Sequence, residues 1–267
     1  MTLIQSSKAP VRYHARVPAI PDDEIAALLR MLDEGEEPGE GQLERVLQRP
    51  SCPGEVVERL AAGARPLTST RVLQLAARHP RCPQQFAWNV LPRLGWHDLI
   101  QVARDPRTRP AVRRQSERKL LERVASLTLG ERTALARIAP RAVMAPLLAG
   151  GDPRCVAALL DNPQFTETEA LRLLASNPDP ACALVLLRHP VWGRRPEVAG
   201  AAVRAGAVPL GVALGLLPTL PITQLQALAA SRTVPTAVRD AAAALAEERR
   251  RGERKGRYRR GARQAGT

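Results

Sequence analysis

Four cysteines, four histidines and three tryptophans offer the most chemistry in this chain of 267 residues, and their spacing decides what they could do. Cys52, Cys82, Cys155 and Cys182 lie far apart, and none forms the Cys-x-x-Cys pair of a metal knuckle or redox site. Cys52 and Cys82 each stand directly before a proline and Cys182 closely follows Pro180, which suits small buried turn residues with free thiols. His79 could join Cys52 and Cys82 if successive turns stacked, but buried turn residues explain the same pattern without a metal. His79 and His189 precede prolines, where an imidazole can hydrogen-bond a free carbonyl at a helix end, whereas His14 and His97 have no evident partner. Trp88, Trp96 and Asp98 cluster in sequence, with Trp192 the remaining indole. The chain has no G-x-S-x-G, H-E-x-x-H or phosphate-binding glycine loop. No catalytic, cofactor-binding or metal-ligating residue is therefore assigned, and a non-enzyme is expected.

Charge gives the stronger functional signal. The net charge is +14, and Arg249 to Arg263 holds nine basic residues against the single acid Glu253. Arg249, Arg250, Arg251, Arg254, Lys255, Arg257, Tyr258, Arg259, Arg260 and Arg263 are the candidate nucleic-acid or polyanion-binding residues. Arginines neutralise phosphate and release counterions, interspersed glycines let the backbone follow a strand, and Tyr258 offers one stacking ring. The alternative is a solvated, solubilising terminus. At the other end Asp22, Asp23, Glu24, Asp33, Glu34, Glu36, Glu37, Glu40 and Glu44 face only Arg30. This polarity suits head-to-tail self-association or an anionic partner held at the C-terminal end.

The elements that would position these groups are announced by an internal duplication. Pro83 to Arg123 aligns without a gap with Pro209 to Arg249, an offset of 126 residues. The frame preserves Pro83/Pro209, Ala87/Ala213, Leu91/Leu217, Pro92/Pro218, Leu94/Leu220, Leu99/Leu225 and Glu122-Arg123/Glu248-Arg249. Packing and turn residues recur while Arg93, His97, Asp98 and Arg104 change, so a scaffold was copied rather than a reactive centre. Trp88 aligns with Leu214 and Trp96 with Ile222, which predicts core positions for both indoles. A composition rich in Ala, Leu and Arg, with 24 prolines and 3% aromatic residues, points to many short helices and tight turns.

Met1 to Ile20 reads as an irregular arm without a secretory signal, and a cytoplasmic location is expected. Residues 21–250 form a helical domain, with blocks near 45–125 and 171–250 joined by linker helices over 126–170. Residues 251–267 read as a basic disordered tail. Turns are written as a polar residue before proline, at Arg49-Pro50, His79-Pro80, Asp105-Pro106, Asp152-Pro153, Asn162-Pro163, Asn177-Pro178 and His189-Pro190. Thr128-x-x-Glu131 and Thr166-x-x-Glu169 have capping-box spacing. About sixteen helices are expected, the longest over Arg109–Ser126 and Pro235–Arg251. Ala205 to Ser231 lacks charge, but Pro209, Pro218 and Pro221 break it into a buried hairpin rather than a membrane span.

The segment Leu159 to Leu187, LLDNPQFTETEALRLLASNPDPACALVLL, resembles the Asn-Pro-centred units of bacterial leucine-rich repeat variant proteins and the broader HEAT-like α-solenoids. The resemblance runs over roughly residues 45 to 250. It implies an all-α, right-handed solenoid of short helical-hairpin repeats whose stacked surface docks another protein. That variant family can carry a cysteine-ligated cluster at its N-terminal end; this chain lacks those cysteines, so no cofactor is implied. Arg113, Arg114, Arg118 and Arg239 are expected to add an exposed positive face, which keeps RNA or DNA binding open as an alternative. A more remote alternative is a HEAT-like DNA glycosylase, which would place Trp88, Trp96 and Asp98 around a damaged nucleotide.

Overall fold

A computed structural model describes residues 22–264 apart from 37, 64–66 and 177, with side chains as far as residue 252. The expected N-terminal arm and the Asn177-Pro178 turn fall on residues outside this set. Among the described residues the chain is all-α. The first nine helices are α1 (Asp22–Asp33), α2 (Glu40–Leu47), α3 (Gly54–Ala62), α4 (Thr70–Arg78), α5 (Gln84–Val90), α6 (Trp96–Arg104), α7 (Pro110–Val124), α8 (Leu129–Ile138) and α9 (Arg141–Ala149). They are followed by α10 (Pro153–Leu160), α11 (Glu167–Ala175), α12 (Pro180–Arg188), α13 (Pro196–Arg204), α14 (Leu210–Leu216), α15 (Ile222–Ala230) and α16 (Thr236–Gln264).

The local signals act as read. Thr128 and Thr166 each form a complete capping box with Glu131 and Glu169, filling amides that the first turns of α8 and α11 leave open. Proline occupies the start of α7, α10, α12 and α13, where its missing N–H costs nothing. Ala205 to Ser231 is cut into α14, a 3-10 turn at Leu217–Thr219 and α15, and no helix among the described residues is long and apolar enough to cross a membrane.

Burial differs between helices, and the difference sets the layering. In α4 the side chains of Val72, Leu73, Leu75, Ala76 and Ala77 are all buried, because α2, α5 and α6 cover it from several sides. In α7 only Val112, Ser116, Leu120 and Val124 are buried, a single stripe every fourth residue. Helices pack on their sequence neighbours, most extensively α6 on α7 and α15 on α16, and on their next-but-one neighbours: α2 on α4 and α4 on α6; α8 on α10 and α10 on α12; α5 on α7, then α7 on α9, α9 on α11 and α11 on α13. The hydrophobic core accordingly runs through both layers from Leu28 to Ala246 rather than closing into separate centres.

The bounds of α3 to α6 recur at α12 to α15, residue for residue, with the same 126-residue offset. The buried stripe of α7 also recurs: Val112, Ser116 and Leu120 match Val238, Ala242 and Ala246. The matching bounds begin at α12, so the expected block start at 171 falls inside α11.

Beyond Arg251 the backbone is helical as far as Gln264, continuous with α16, over the segment read as a basic tail. Isolated glycines at 252, 256 and 261 cost about 1 kcal/mol each, while the Arg, Lys, Glu, Ala and Gln between them favour helix, so a preformed helix propagates through. Trp88, read as a core residue, is 44% exposed on α5. Its neighbours Gln84, Gln85 and Asn89 are exposed too, and no other helix covers that side.

Candidate functional site

At several of the turn prolines the preceding residue holds its own turn, and at two of them it also reaches back to the preceding unit. Its side-chain acceptor takes the N–H two residues on: Asp105 Oδ1 from Arg107 at 2.9 Å, Asp152 Oδ1 from Arg154 at 2.8 Å, Asn162 Oδ1 from Gln164 at 2.9 Å and His79 Nδ1 from Arg81 at 3.1 Å. Where a donor remains, it reaches back to the preceding unit. His79 Nε2 donates to the Cys52 carbonyl at 3.0 Å, and Asn162 Nδ2 donates to the carbonyls of Ala136 and Ala139 at 2.8 and 3.0 Å. Other polar links join the same edge: Thr108 Oγ1 to the Arg78 carbonyl, Arg109 Nε to that of Pro80 and Trp192 Nε1 to that of Leu160. They join residues 23 to 32 apart in sequence, one unit to the next. Each satisfies a carbonyl stranded at a helix end.

These contacts fix protonation states. With Nδ1 accepting, the His79 ring carries its proton on Nε2 and is neutral; burial moves its pKa below the ordinary value. Burial opposes ionisation of Asp105, but donors from Arg107 and Arg78 outweigh it and hold the carboxyl below its usual range. Glu169 follows the same balance, with Thr166 and Arg141 supplying the donors. All four cysteines are buried free thiols. Burial pushes Cys52 and Cys155 up to about 11 and Cys82 to about 12, which leaves them protonated and poor nucleophiles at neutral pH. No group of His, Cys, Asp or Glu suited to hold a metal occurs among the described residues.

The ten candidate polyanion-binding residues divide. Arg249 does not face outward: Nη1 and Nη2 donate to the carbonyls of Leu220 and Pro218. Arg123, its counterpart, makes the same pair of bonds to Leu94 and Pro92. Both guanidiniums close the 3-10 turn that links the helices of their block, so Arg249 belongs to the scaffold. Arg250 Nη2 and Nε donate to the Gln226 amide oxygen at 2.8 and 3.0 Å, with that amide turned to face them. Arg251 pairs across one turn with Glu247 at 3.4 Å and remains exposed. The side chains of Arg254, Lys255, Arg257, Tyr258, Arg259, Arg260 and Arg263 lie outside the described residues. Of the four arginines expected on a positive face, Arg114 and Arg118 are exposed, whereas Arg113 and Arg239 are half-buried against their own helices' packing stripe.

The indoles do not converge on one groove. Trp96 packs against the core and donates from Nε1 to Glu131 Oε1 at 3.2 Å, while Trp192 sits edge-on to Phe165 with centroids 5.3 Å apart. Trp88 stands alone on the surface.

Two concave features stand out. A cleft of 450 Å³ opens between the ends of α1 to α4, with Leu32, Leu43, Leu60 and Val72 among its walls. A second cleft of 250 Å³ lies on the turn edge and is walled by Arg49, Arg71, Arg78, Arg107, His79 and Pro80. Sequence reasoning missed this second site because its residues come from the turns after α2 and α6 and from both ends of α4. No protein-family model, curated protein or solved structure matches the chain.

Proposed function

We propose that the chain is a non-catalytic α-solenoid scaffold, a right-handed stack of short helical hairpins whose continuous surface docks another macromolecule. The observation that carries this reading is the packing of most helices on a next-but-one neighbour together with the polar ladder linking successive turns. Stacked units of this kind bury apolar faces only against adjacent units and leave a long edge free for recognition. Two measurements test it. A compact globule of this length has a radius of gyration of about 18 Å, so solution scattering should give a clearly larger value; a value near 18 Å removes the solenoid. Affinity capture with the full chain, with and without nuclease, should retain a stoichiometric protein partner in both arms. Loss of all capture after nuclease would favour the second reading.

That second reading is RNA or DNA binding through the C-terminal basic segment. The observation in its favour is the continuation of α16 to Gln264, which carries the arginine-rich stretch on a helical backbone rather than a free coil.

A further inference from the structure

The 250 Å³ cleft on the turn edge gathers four guanidiniums: Arg49 and Arg107 from the turns after α2 and α6, and Arg71 and Arg78 from the two ends of α4. One carboxylate stands behind them. Asp105, itself buried, pairs with Arg78 at 2.7 Å and with Arg107 at 3.1 Å. Arg49 and Arg71 have no carboxylate within ion-pair distance among the described residues. Arg71 is steadied by its Nη1 donating to the buried Gln74 amide oxygen at 3.1 Å. His79, neutral and fixed at both nitrogens, forms part of the floor without adding charge. The walls therefore hold like charges in excess around a concave space, an arrangement that repels itself until an anion enters.

The second block supplies an internal control. At the 126-residue offset Arg49, Arg71, His79, Asp105 and Arg107 become Ala175, Glu197, Ala205, Ser231 and Thr233, and only Arg78 keeps an arginine, Arg204. The corresponding helices keep their bounds without this cluster. Folding of the turn thus does not require the arginines, and their presence in the first block needs another reason.

We propose that the cleft walled by Arg49, Arg71, Arg78 and Arg107 binds the phosphoryl group of a small phosphorylated ligand. Guanidiniums match phosphate oxygens with paired, charge-assisted hydrogen bonds, and a phosphate monoester carries about −1.5 to −2 at neutral pH, which offsets much of the positive excess left by four guanidiniums and one carboxylate. The space holds roughly eight water volumes, taking about 30 Å³ for each. That is room for one or two phosphoryl groups and a short organic arm. A concave pocket of that size suits an isolated ligand better than a strand passing along the surface.

Titration calorimetry of the full chain with pyrophosphate and with inorganic phosphate tests the site. Saturable one-to-one binding of pyrophosphate is expected. The double variant Arg49→Ala, Arg71→Glu places at both positions the residues found 126 later in the chain; it should bind at least about tenfold more weakly while staying helical by circular dichroism, its melting temperature lowered only by loss of the Arg71–Gln74 bond. Arg71→Gln alone gives a milder loss, and Arg204→Gln at the counterpart position leaves binding intact. No saturable binding to the wild type, or equal affinity in the double variant, overturns the proposal. A third arm uses a single-stranded oligonucleotide. If it binds in an Arg49- and Arg71-dependent way while pyrophosphate does not, the cleft serves a nucleic-acid backbone and the small-ligand assignment falls.

Discussion

The two blocks close equivalent helices by different means. In the first, α4 ends at His79-Pro80, and the imidazole satisfies one amide of its own turn and one carbonyl of the unit before. In the second, α13 ends at Ala205-Gly206; Gly206 takes a φ of 65° and the Ala207 N–H returns to the Ala202 carbonyl. That is a left-handed glycine cap, which needs no side chain. The same divergence occurs after α6 and α15, where Asp105 organises two arginines and Ser231 contacts only Thr233. A backbone cap closes a helix locally, whereas a side-chain cap also ties it to its neighbour. The first block has thereby acquired both an inter-unit link and a charged cleft that the second does without.

Removing the indole of Trp96 should have the largest effect. Trp96→Ala takes away a side chain packed on the core and its bond to Glu131, and should cost about 3 kcal/mol or more. Trp96→Ile, the residue of the second block, should recover much of that loss, and Trp88→Ala should cost about 1 kcal/mol or less because Trp88 is surface-exposed. Urea unfolding of the three variants decides it. A larger loss at Trp88 than at Trp96 would reverse the assignment of which indole packs.

Asp105→Ser, again copying the second block, should cost about 2–3 kcal/mol, since it strips charge-assisted bonds from Arg78 and Arg107 at a buried position. The pH dependence has a defined sign. The folded pKa of Asp105 lies below its ordinary 3.8, so its stabilisation is complete above that value and is lost as pH falls through the folded pKa. His79 also has a lowered pKa; the unfolded chain takes up its proton first, so stability contributed by the neutral ring fades as pH drops below 6.5. Denaturant midpoints measured from pH 8 to 3 should fall in two stages. His79→Gln should remove the upper stage and Asp105→Ser should shrink the lower one. An unchanged profile in both variants would show that these side-chain caps do not couple to folding.

Arg123 and Arg249 offer the sharpest test of equivalence. Each donates to two carbonyls of the 3-10 turn in its own block, so Arg123→Ala and Arg249→Ala should each cost about 2 kcal/mol and differ little. If Arg249→Ala leaves stability intact but weakens polyanion binding, the arginine is a contact residue and the two blocks are not equivalent there.

What the sequence disclosed is what local rules govern. The capping boxes at Thr128 and Thr166 lie within one turn, and proline before the first apolar stripe dictates where a helix starts, so type and number of elements were readable. The scaffold contact of Arg249 was readable too, because the pair Glu122-Arg123 recurs as Glu248-Arg249 among packing and turn positions. Trp88 was misplaced. Alignment with an apolar residue predicts burial only if a neighbouring helix covers that face, and α5 has no such cover. The arginine cleft was beyond reach because Arg49, Arg71 and Arg107 come from the turn after α2, the start of α4 and the turn after α6, and meet only once those elements pack. Its trace in the sequence is the absence of arginine at Ala175, Glu197 and Thr233.

The smallest effect on stability is expected where the charge is densest. The buried stripe of α16 ends at Ala246 and the Arg250 guanidinium faces Gln226, so truncation from Arg251 onward removes no residue of the buried core. Thermal unfolding should shift by about 2 °C or less. Binding should respond differently: every phosphate neutralised by a lost arginine lowers the dependence of log K on log salt by about 0.7 for a single strand. Titrating a fluorescent single-stranded RNA at several salt concentrations measures that slope for the full and truncated chains. A slope that collapses on truncation assigns the contacts to the segment of α16 from Arg251 onward. A slope that persists moves them to Arg114, Arg118 and the body of the stack, and leaves the second block, not its extension, as the half to be compared with the arginine cleft of the first.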